Sequence, residues 1–273
     1  MDYGAILHER VPDLEVDRLV RVESGWDSAV VEVNGEWIFR FPRRPEVIDW
    51  LRTEAALLPE LAQHLPAPIP QFELVDLDNG GFVGYRKLAG EPLARGTSSA
   101  ALGARLGEFL AALHAFPVDR ARRLTGRDSE AEKRATVERF RTAVLPLLDG
   151  SERPRGEVLL DEAFADPFEP VLVHGDLGPE HLLHRGEELA GVIDWSDARV
   201  ADPAIDFAWL LYETSAPFTE QLLRSYGRTD ETLRRRALVF HRLGPWHEVI
   251  YGLDENRPEL VASGLDGIRA RLL

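Results

Sequence analysis

The chain has 273 residues, a formal net charge of −15 and no cysteine. The missing thiols exclude disulfides, thiolate metal sites and thiol nucleophiles, and the acidic balance argues against nucleic acid, whose phosphates need clustered Lys and Arg. The same acidity favours a cationic ligand, whose approach it would accelerate. No apolar run approaches the roughly 18 residues of a membrane span. The N-terminal stretch MDYGAILHERVPDLEVDRL has acidic residues where a signal peptide would have basic and apolar regions, so a cytoplasmic protein is expected.

Residues 1–88 read as strands with one helix. Leu19–Glu23 and Ala29–Val33 are β-branched runs around Gly25, and Trp37–Phe41 follows Asn34–Gly35, a hairpin-turn dipeptide. Ile48–Leu61 carries Leu51, Ala55, Leu58 and Leu61 at helical spacing, and Pro66–Pro70 ends it. Gln71–Asp76 and Gly81–Leu88 are two more strands, flanking the turn Asp78–Gly81. From Gly90 the pattern changes to long helices. Leu102, Leu106, Phe109, Leu110 and Leu113 form an amphipathic stripe, Glu130–Leu148 and Asp202–Tyr212 look similar, and the C-terminal part is helical with an interruption at Gly244–Pro245. The expected class is α+β: a small antiparallel-sheet lobe with one helix over 1–88, joined to a larger, mostly helical lobe over 89–273, with a cleft between them.

The stretch VLVHGDLGPEHLLHRGEELAGVIDW, Val171–Trp195, carries the chemistry. Val171–Val173 is a short strand and HGDLGPE a loop. A hairpin follows, out along Leu182–His184, around Arg185–Glu188 and back along Leu189–Ile193. Antiparallel neighbours lie about 5 Å apart, so His181, entering the hairpin, and Asp194, leaving it, end up side by side. The loop folds Asp176 back toward them. Two ligands for a divalent cation and one free carboxylate then face a common point, as phosphoryl transfer requires.

HGDLGPEHLL, then VIDW, then DPAIDFAWLL resemble in order and spacing the catalytic loop, metal-binding segment and following helix of the aminoglycoside phosphotransferase family. The resemblance covers nearly the whole chain. It implies a two-lobed protein-kinase-like fold and transfer of the γ-phosphate of ATP or GTP, with Mg²⁺, to a small-molecule hydroxyl. It also implies that Asp176 accepts the hydrogen bond of that hydroxyl and that Asp194 binds the metal. His181 departs from the commonest pattern, which has asparagine, although the subfamilies acting on macrolides and on aminoglycosides at the 2″ position resemble this chain in having histidine. Magnesium prefers hard oxygen donors, and an imidazole ligand should release metal as it protonates below about pH 6.5. Asp206 and His174 read as braces of the loop, and His114 as a structural residue of its Leu-rich stripe.

In the N-terminal lobe SGWDSAVV resembles the nucleotide-positioning loop, with Gly25 allowing a tight turn and the Ser28 hydroxyl meeting phosphate oxygens; an ordinary hairpin turn has the same pattern. Arg40 in WIFRFP stands where many relatives have a phosphate-binding lysine. It would pair with Glu54, and Arg43 or Arg44 would share its task. GYRKLAGEPL resembles the interlobe hinge, whose backbone near Arg86–Leu88 would meet the base edge, and Leu183 and Ile193 would form the floor beneath the base or ordinary hairpin core.

Acceptor recognition in the family comes largely from the C-terminal helices. Here Glu213, Trp246, Glu248, Asp254 and Glu255 would line the acceptor site, pairing with the ammonium groups of an aminoglycoside or basic cyclic peptide antibiotic; exposed helix faces give the same pattern. FPRRPEV and the His181 variant also look like macrolide kinases, whose pocket should be mostly apolar. The leading expectation is a magnesium-dependent kinase that inactivates a cationic antibiotic, with a macrolide phosphotransferase as alternative. Readings of other classes are a nucleotide-binding pseudokinase regulator and a metal-dependent hydrolase built on the Asp–His cluster.

Overall fold

The computed structural model describes residues 1–22, 27–78, 81–97, 99–127, 129–227 and 231–272. Gly25 and the tip of the SGWDSAVV loop lie outside the described residues, as does the centre of the turn at 78–81. The chain forms two compact units, Met1–Leu93 with Glu180–Asp197, and Ala94–Pro179 with Ala198–Leu273.

The first unit opens on helix α1 (Tyr3–Arg10), which the sequence reading did not anticipate; Asp2 caps it by accepting from Ala5 N at 3.1 Å. Strands β1 (Leu19–Val22), β2 (Ser28–Val33) and β3 (Trp37–Pro42) follow, then helix α2 (Pro45–Leu61) and strands β4 (Phe72–Asp76), β5 (Phe82–Arg86) and β6 (Glu91–Pro92). Asn34 and Gly35 both have positive φ, 55° and 73°, the tight hairpin turn their dipeptide favours. The Asn34 side chain also accepts from Asp17 N and Arg18 N and donates to Glu15 O, tying the preceding segment to the turn. The sheet runs β1-β2-β3-β5-β4, antiparallel throughout. Alternation along β3 decides its faces. Phe39 and Phe41 join Val31, Val33, Phe82 and Leu7 of α1 in one core, whereas Arg40 projects to the other face, where Val47 and Leu51 of α2 pack on Val83.

The second unit contributes α3 (Ala100–His114), α4 (Val118–Thr125), α5 (Ser129–Arg139), α6 (Arg153–Glu162) and strand β7 (Val171–Val173). The expected helix over 130–148 is only partly one: α5 widens into a π-helical turn at Phe140–Val144 and ends in a 3₁₀ turn at Leu145–Leu147, where Pro146 cannot continue it. This brings Phe140, Val144 and Leu145 into one core with Leu159, Leu160 and Trp246.

Residues Glu180–Asp197 return to the first unit as the hairpin β8 (Leu182–Arg185) and β9 (Glu188–Val192). A single cut at 88/89 would assign this hairpin to the helical lobe. It belongs to the sheet unit because β6 pairs with β8 and Val192 N donates to Pro68 O at 3.0 Å. The chain ends in strand β10 (Arg199–Ala201), antiparallel to β7, and helices α7 (Ala208–Tyr212), α8 (Ala216–Tyr226), α9 (Glu231–Asp254) and α10 (Pro258–Arg271). Asp202–Tyr212 is not one helix: Asp202 caps a 3₁₀ turn, Pro203–Phe207, before α7 begins. No described helix is long and apolar enough to cross a membrane.

The interruption expected at Gly244–Pro245 is corrected by the structure, in which α9 runs unbroken through Pro245. Proline at 245 supplies no N–H to the carbonyl one turn earlier, that of His241. That oxygen instead accepts from Arg271 Nη1 of α10 at 2.7 Å. Arg271→Met is therefore expected to leave this carbonyl without its donor and Glu213 without one of its cationic partners, together costing about 1–3 kcal/mol, measured as the urea midpoint at constant m-value; an unchanged midpoint would dissociate helix continuity from this bond.

Candidate active site

His181 and Asp194 are brought together by the ends of the hairpin. Ile193 N donates to His181 O at 2.9 Å, closing the ladder, and Asp194 turns the chain with φ of 64°, a conformation Asp tolerates better than most residues. Trp195, fully buried, locks the turn by donating Nε1–H to Val192 O at 3.0 Å. His181 Nε2 lies 3.7 Å from Asp194 Oδ2. The other oxygen, Asp194 Oδ1, faces Arg40 Nη2 at 3.3 Å and Ser196 Oγ at 3.0 Å. Among the described residues no three His, Asp or Glu side chains converge as a metal-binding group.

Arg40 reaches this corner from β3, and Glu54 reaches it from α2. Arg40 Nη1 donates to Glu54 Oε2 and Nη2 to Ser196 Oγ, each at 2.8 Å, and the two charged side chains are 7 % and 0 % exposed. Burial alone would lower the Arg40 pKa; Glu54 and Asp194 outweigh it and hold the guanidinium charged. Glu54 occupies the buried face of α2 with Leu51, Leu57 and Leu58, a position a carboxylate holds only when paired. Ser196, which the sequence reading missed, bridges the network; standing two residues after Asp194 is its only signal. Asp27, also missed, is pushed toward the neutral form by burial, an effect Arg44 opposes and Asp197 and Asp194 reinforce.

The remaining nucleotide candidates fall around the same unit. Ser28 is buried at the start of β2, its hydroxyl without a hydrogen-bond partner among the described residues. Arg86 is exposed, stacked 4.1 Å over the Trp37 ring and paired with Glu36. Lys87 N donates to Glu36 O at 2.7 Å, so the amide between Arg86 and Leu88 already serves the backbone. Leu183 pairs across from Gly191, against which Leu88 packs so closely that a Cβ would sit 2.8 Å from Leu88 Cδ1; Ile193 is half-buried.

Asp176 lies in the second unit, exposed, on the loop that leaves β7. The loop hangs on Asp206 of the Pro203–Phe207 turn: Oδ2 accepts from His174 N at 2.9 Å and Oδ1 from Gly175 N at 2.8 Å. Gly175 has φ of 87°, where a side chain would be strained, and Asp176 N donates to His174 Nδ1 at 3.3 Å. Burial pushes the Asp206 carboxyl upward, but His114, His174 and the Gly175 N–H together hold it below the usual carboxylate range.

The acceptor candidates are redrawn. Trp246 is fully buried in the core beside Phe140, because α9 turns that face inward; it is a packing residue. Glu213 is the centre of a network, its carboxylate accepting from Arg95, from Trp209 Nε1 at 3.2 Å, from His241 Nε2 at 3.1 Å and from Arg271 Nη2 at 2.5 Å. Burial raises its pKa, but His241, Arg271 and Arg95 prevail and keep it anionic, so it joins α7, α9 and α10 instead of offering an open charge. Asp254 pairs with Arg139, and Glu248 is half-buried on α9.

Against known proteins, residues 18–240 match the model of a phosphotransferase enzyme family. An aminoglycoside 2″-phosphotransferase solved with GDP and kanamycin superposes with a TM-score of 0.88 and 29 % identity, over 98 % of this chain and 97 % of that one. A macrolide 2′-phosphotransferase from Brachybacterium faecium superposes with a TM-score of 0.76 at 25 % identity, over 98 % and 97 %. The viomycin phosphotransferase of Streptomyces vinaceus is 28 % identical over 134 residues, 47 % of each chain. The α+β class and the kinase-like fold of such enzymes are therefore those of this chain.

Proposed function

This chain belongs to the phosphotransferase enzyme family, and from that premise we propose that it is a magnesium-dependent kinase transferring the γ-phosphate of ATP or GTP to a hydroxyl of a cationic antibiotic, an aminoglycoside or a basic cyclic peptide. The observation that carries the reading is the charge arrangement at Asp194, one oxygen held by Arg40 and Ser196 and the other turned toward His181. Magnesium is commonly held by one or two protein groups together with nucleotide phosphates, which suits a donor pair better than a closed cage. His181 and Asp194 would hold the ion, and the chemistry it supplies is neutralisation of phosphate charge. Arg40, itself fixed by Glu54, sets the orientation of Asp194. Asp176 accepts a hydrogen bond from the acceptor's hydroxyl and aims that hydroxyl's oxygen at phosphorus, on a loop whose backbone Asp206 holds still. The net charge of −15 supports a polycationic acceptor, and the relatives that act on kanamycin-class and viomycin-class molecules support the same class. A macrolide acceptor is the second reading, favoured by the superposition on the Brachybacterium enzyme.

The test is nucleotide turnover with ATP and with GTP over aminoglycosides, viomycin and macrolides. Turnover should depend on one cationic class and vanish in Asp176→Ala. Nucleotide binding without acceptor-dependent turnover across the panel would reject the kinase reading in favour of a regulator.

A further inference from the structure

The hydrogen bonds behind the catalytic loop continue past Asp206 into the helices. His114 Nε2 lies 3.1 Å from Asp206 Oδ2, and His114 Nδ1 lies 2.9 Å from the Tyr226 hydroxyl. All three residues are buried. Hydrogen-bond complementarity assigns the proton: the Asp206 carboxylate needs a donor, so Nε2 carries hydrogen and Nδ1 accepts from the Tyr226 O–H. Phe207 closes the site with its ring 6.1 Å from His114 and 4.8 Å from Tyr226, both edge-on.

Helix packing delivers this contact. Gly103 and Gly107, one turn apart on α3, lie directly against α8; a Cβ at either would stand 2.3 Å from a carbonyl oxygen, Phe218 O or Leu222 O. With the two backbones touching, the last residues of α3 and α8, His114 and Tyr226, meet with ring centroids 5.5 Å apart at 87°.

We propose that His114 and Tyr226 are positioning residues for phosphoryl transfer, a relay in which Tyr226 orients His114, His114 keeps Asp206 in its acceptor form, and Asp206 fixes the two peptide planes that precede Asp176. The inference rests on the kinase reading above. A buried carboxylate that loses one of its donors is pushed toward its protonated form, and without His114 Asp206 would keep only the two backbone N–H groups. Protonated Asp206 would turn one of its oxygens into a donor, and the N–H of His174 or Gly175 would lose its acceptor. The loop would then shift Asp176 while leaving the residues around Arg40 and Asp194 untouched. A displacement of about 1 Å in a reacting group costs on the order of a hundredfold in rate, and it does so in kcat, not in nucleotide affinity.

Three variants separate this role from simple core packing: His114→Leu removes the donor, His114→Gln restores an N–H toward Asp206, and Tyr226→Phe removes one hydroxyl from an otherwise unchanged ring. Each is measured for kcat, for KM of nucleotide and acceptor, and for Tm. His114→Leu should lower kcat about a hundredfold with nucleotide KM unchanged. His114→Gln should recover most of that loss, and Tyr226→Phe should fall between wild type and His114→Leu with its Tm retained. A Tyr226→Phe enzyme with wild-type kcat, or Leu and Gln variants equally active per folded molecule, would overturn the relay. If His114→Leu fails to fold, the Gln and Phe variants still decide. Wild-type protein that turns over no acceptor would instead overturn the kinase reading, a result distinct from active wild type with unaffected variants.

Discussion

Asp176→Asn is expected to lower kcat by about 10²–10⁴-fold while leaving Tm and nucleotide KM close to wild type. The side chain is exposed, and the loop is held through the backbone at His174 and Gly175 and through Asp176 N, none of which the substitution removes. The amide keeps the size of the carboxylate but is a far weaker acceptor for a hydroxyl proton. Steady-state kinetics with a responsive acceptor, beside a thermal melt, measures both sides of the expectation. A variant retaining wild-type kcat would remove Asp176 from the reaction, whatever the acceptor.

Glu54→Ala should be strongly destabilising, by about 3–5 kcal/mol. It strips the principal counter-charge from Arg40, whose side chain is only 7 % exposed, and it opens a gap beneath α2. Ser196 and Asp194 would retain Nη2, which limits the loss but leaves Nη1 unpaired. Chemical denaturation gives the number directly. The Arg40→Met/Glu54→Leu double variant should recover much of the stability, since well-packed apolar pairs often match buried ion pairs, yet lose most of its activity because only Ser196 then holds Asp194 Oδ1. A Glu54→Ala loss under about 1 kcal/mol would mean the pair behaves as a solvated one.

What the sequence made legible was local. The Asn34–Gly35 turn, the leucine stripe of α3 and the hairpin linking His181 to Asp194 each depend on residues a few positions apart, and each lies where its pattern places it. What it concealed depends on partners far along the chain. Glu213 reads as an open carboxylate until Arg95, 118 positions away, and Arg271, 58 positions away, are found on it. Pro245 reads as a helix end because the group that replaces its missing hydrogen bond lies 30 positions from His241. Trp246 reads as a binding residue because an aromatic on a polar helix carries no mark of the face it turns inward. Ser196 carries only the signal of its place two residues after Asp194, and a serine there is compatible with almost any role. His114 was legible as buried, but not as hydrogen-bonded to a residue 92 positions on.

The contact between α3 and α8 limits which substitutions this lineage can accept. Alanine, the mildest replacement anywhere else on a helix, collides at 103 or 107 with a backbone oxygen that has no rotamer to yield. Drift at either position must therefore separate two helices as rigid rods, and their far ends carry the imidazole and the phenol. Two residues without side chains thus transmit to the chemistry a constraint that neither could exert by contact.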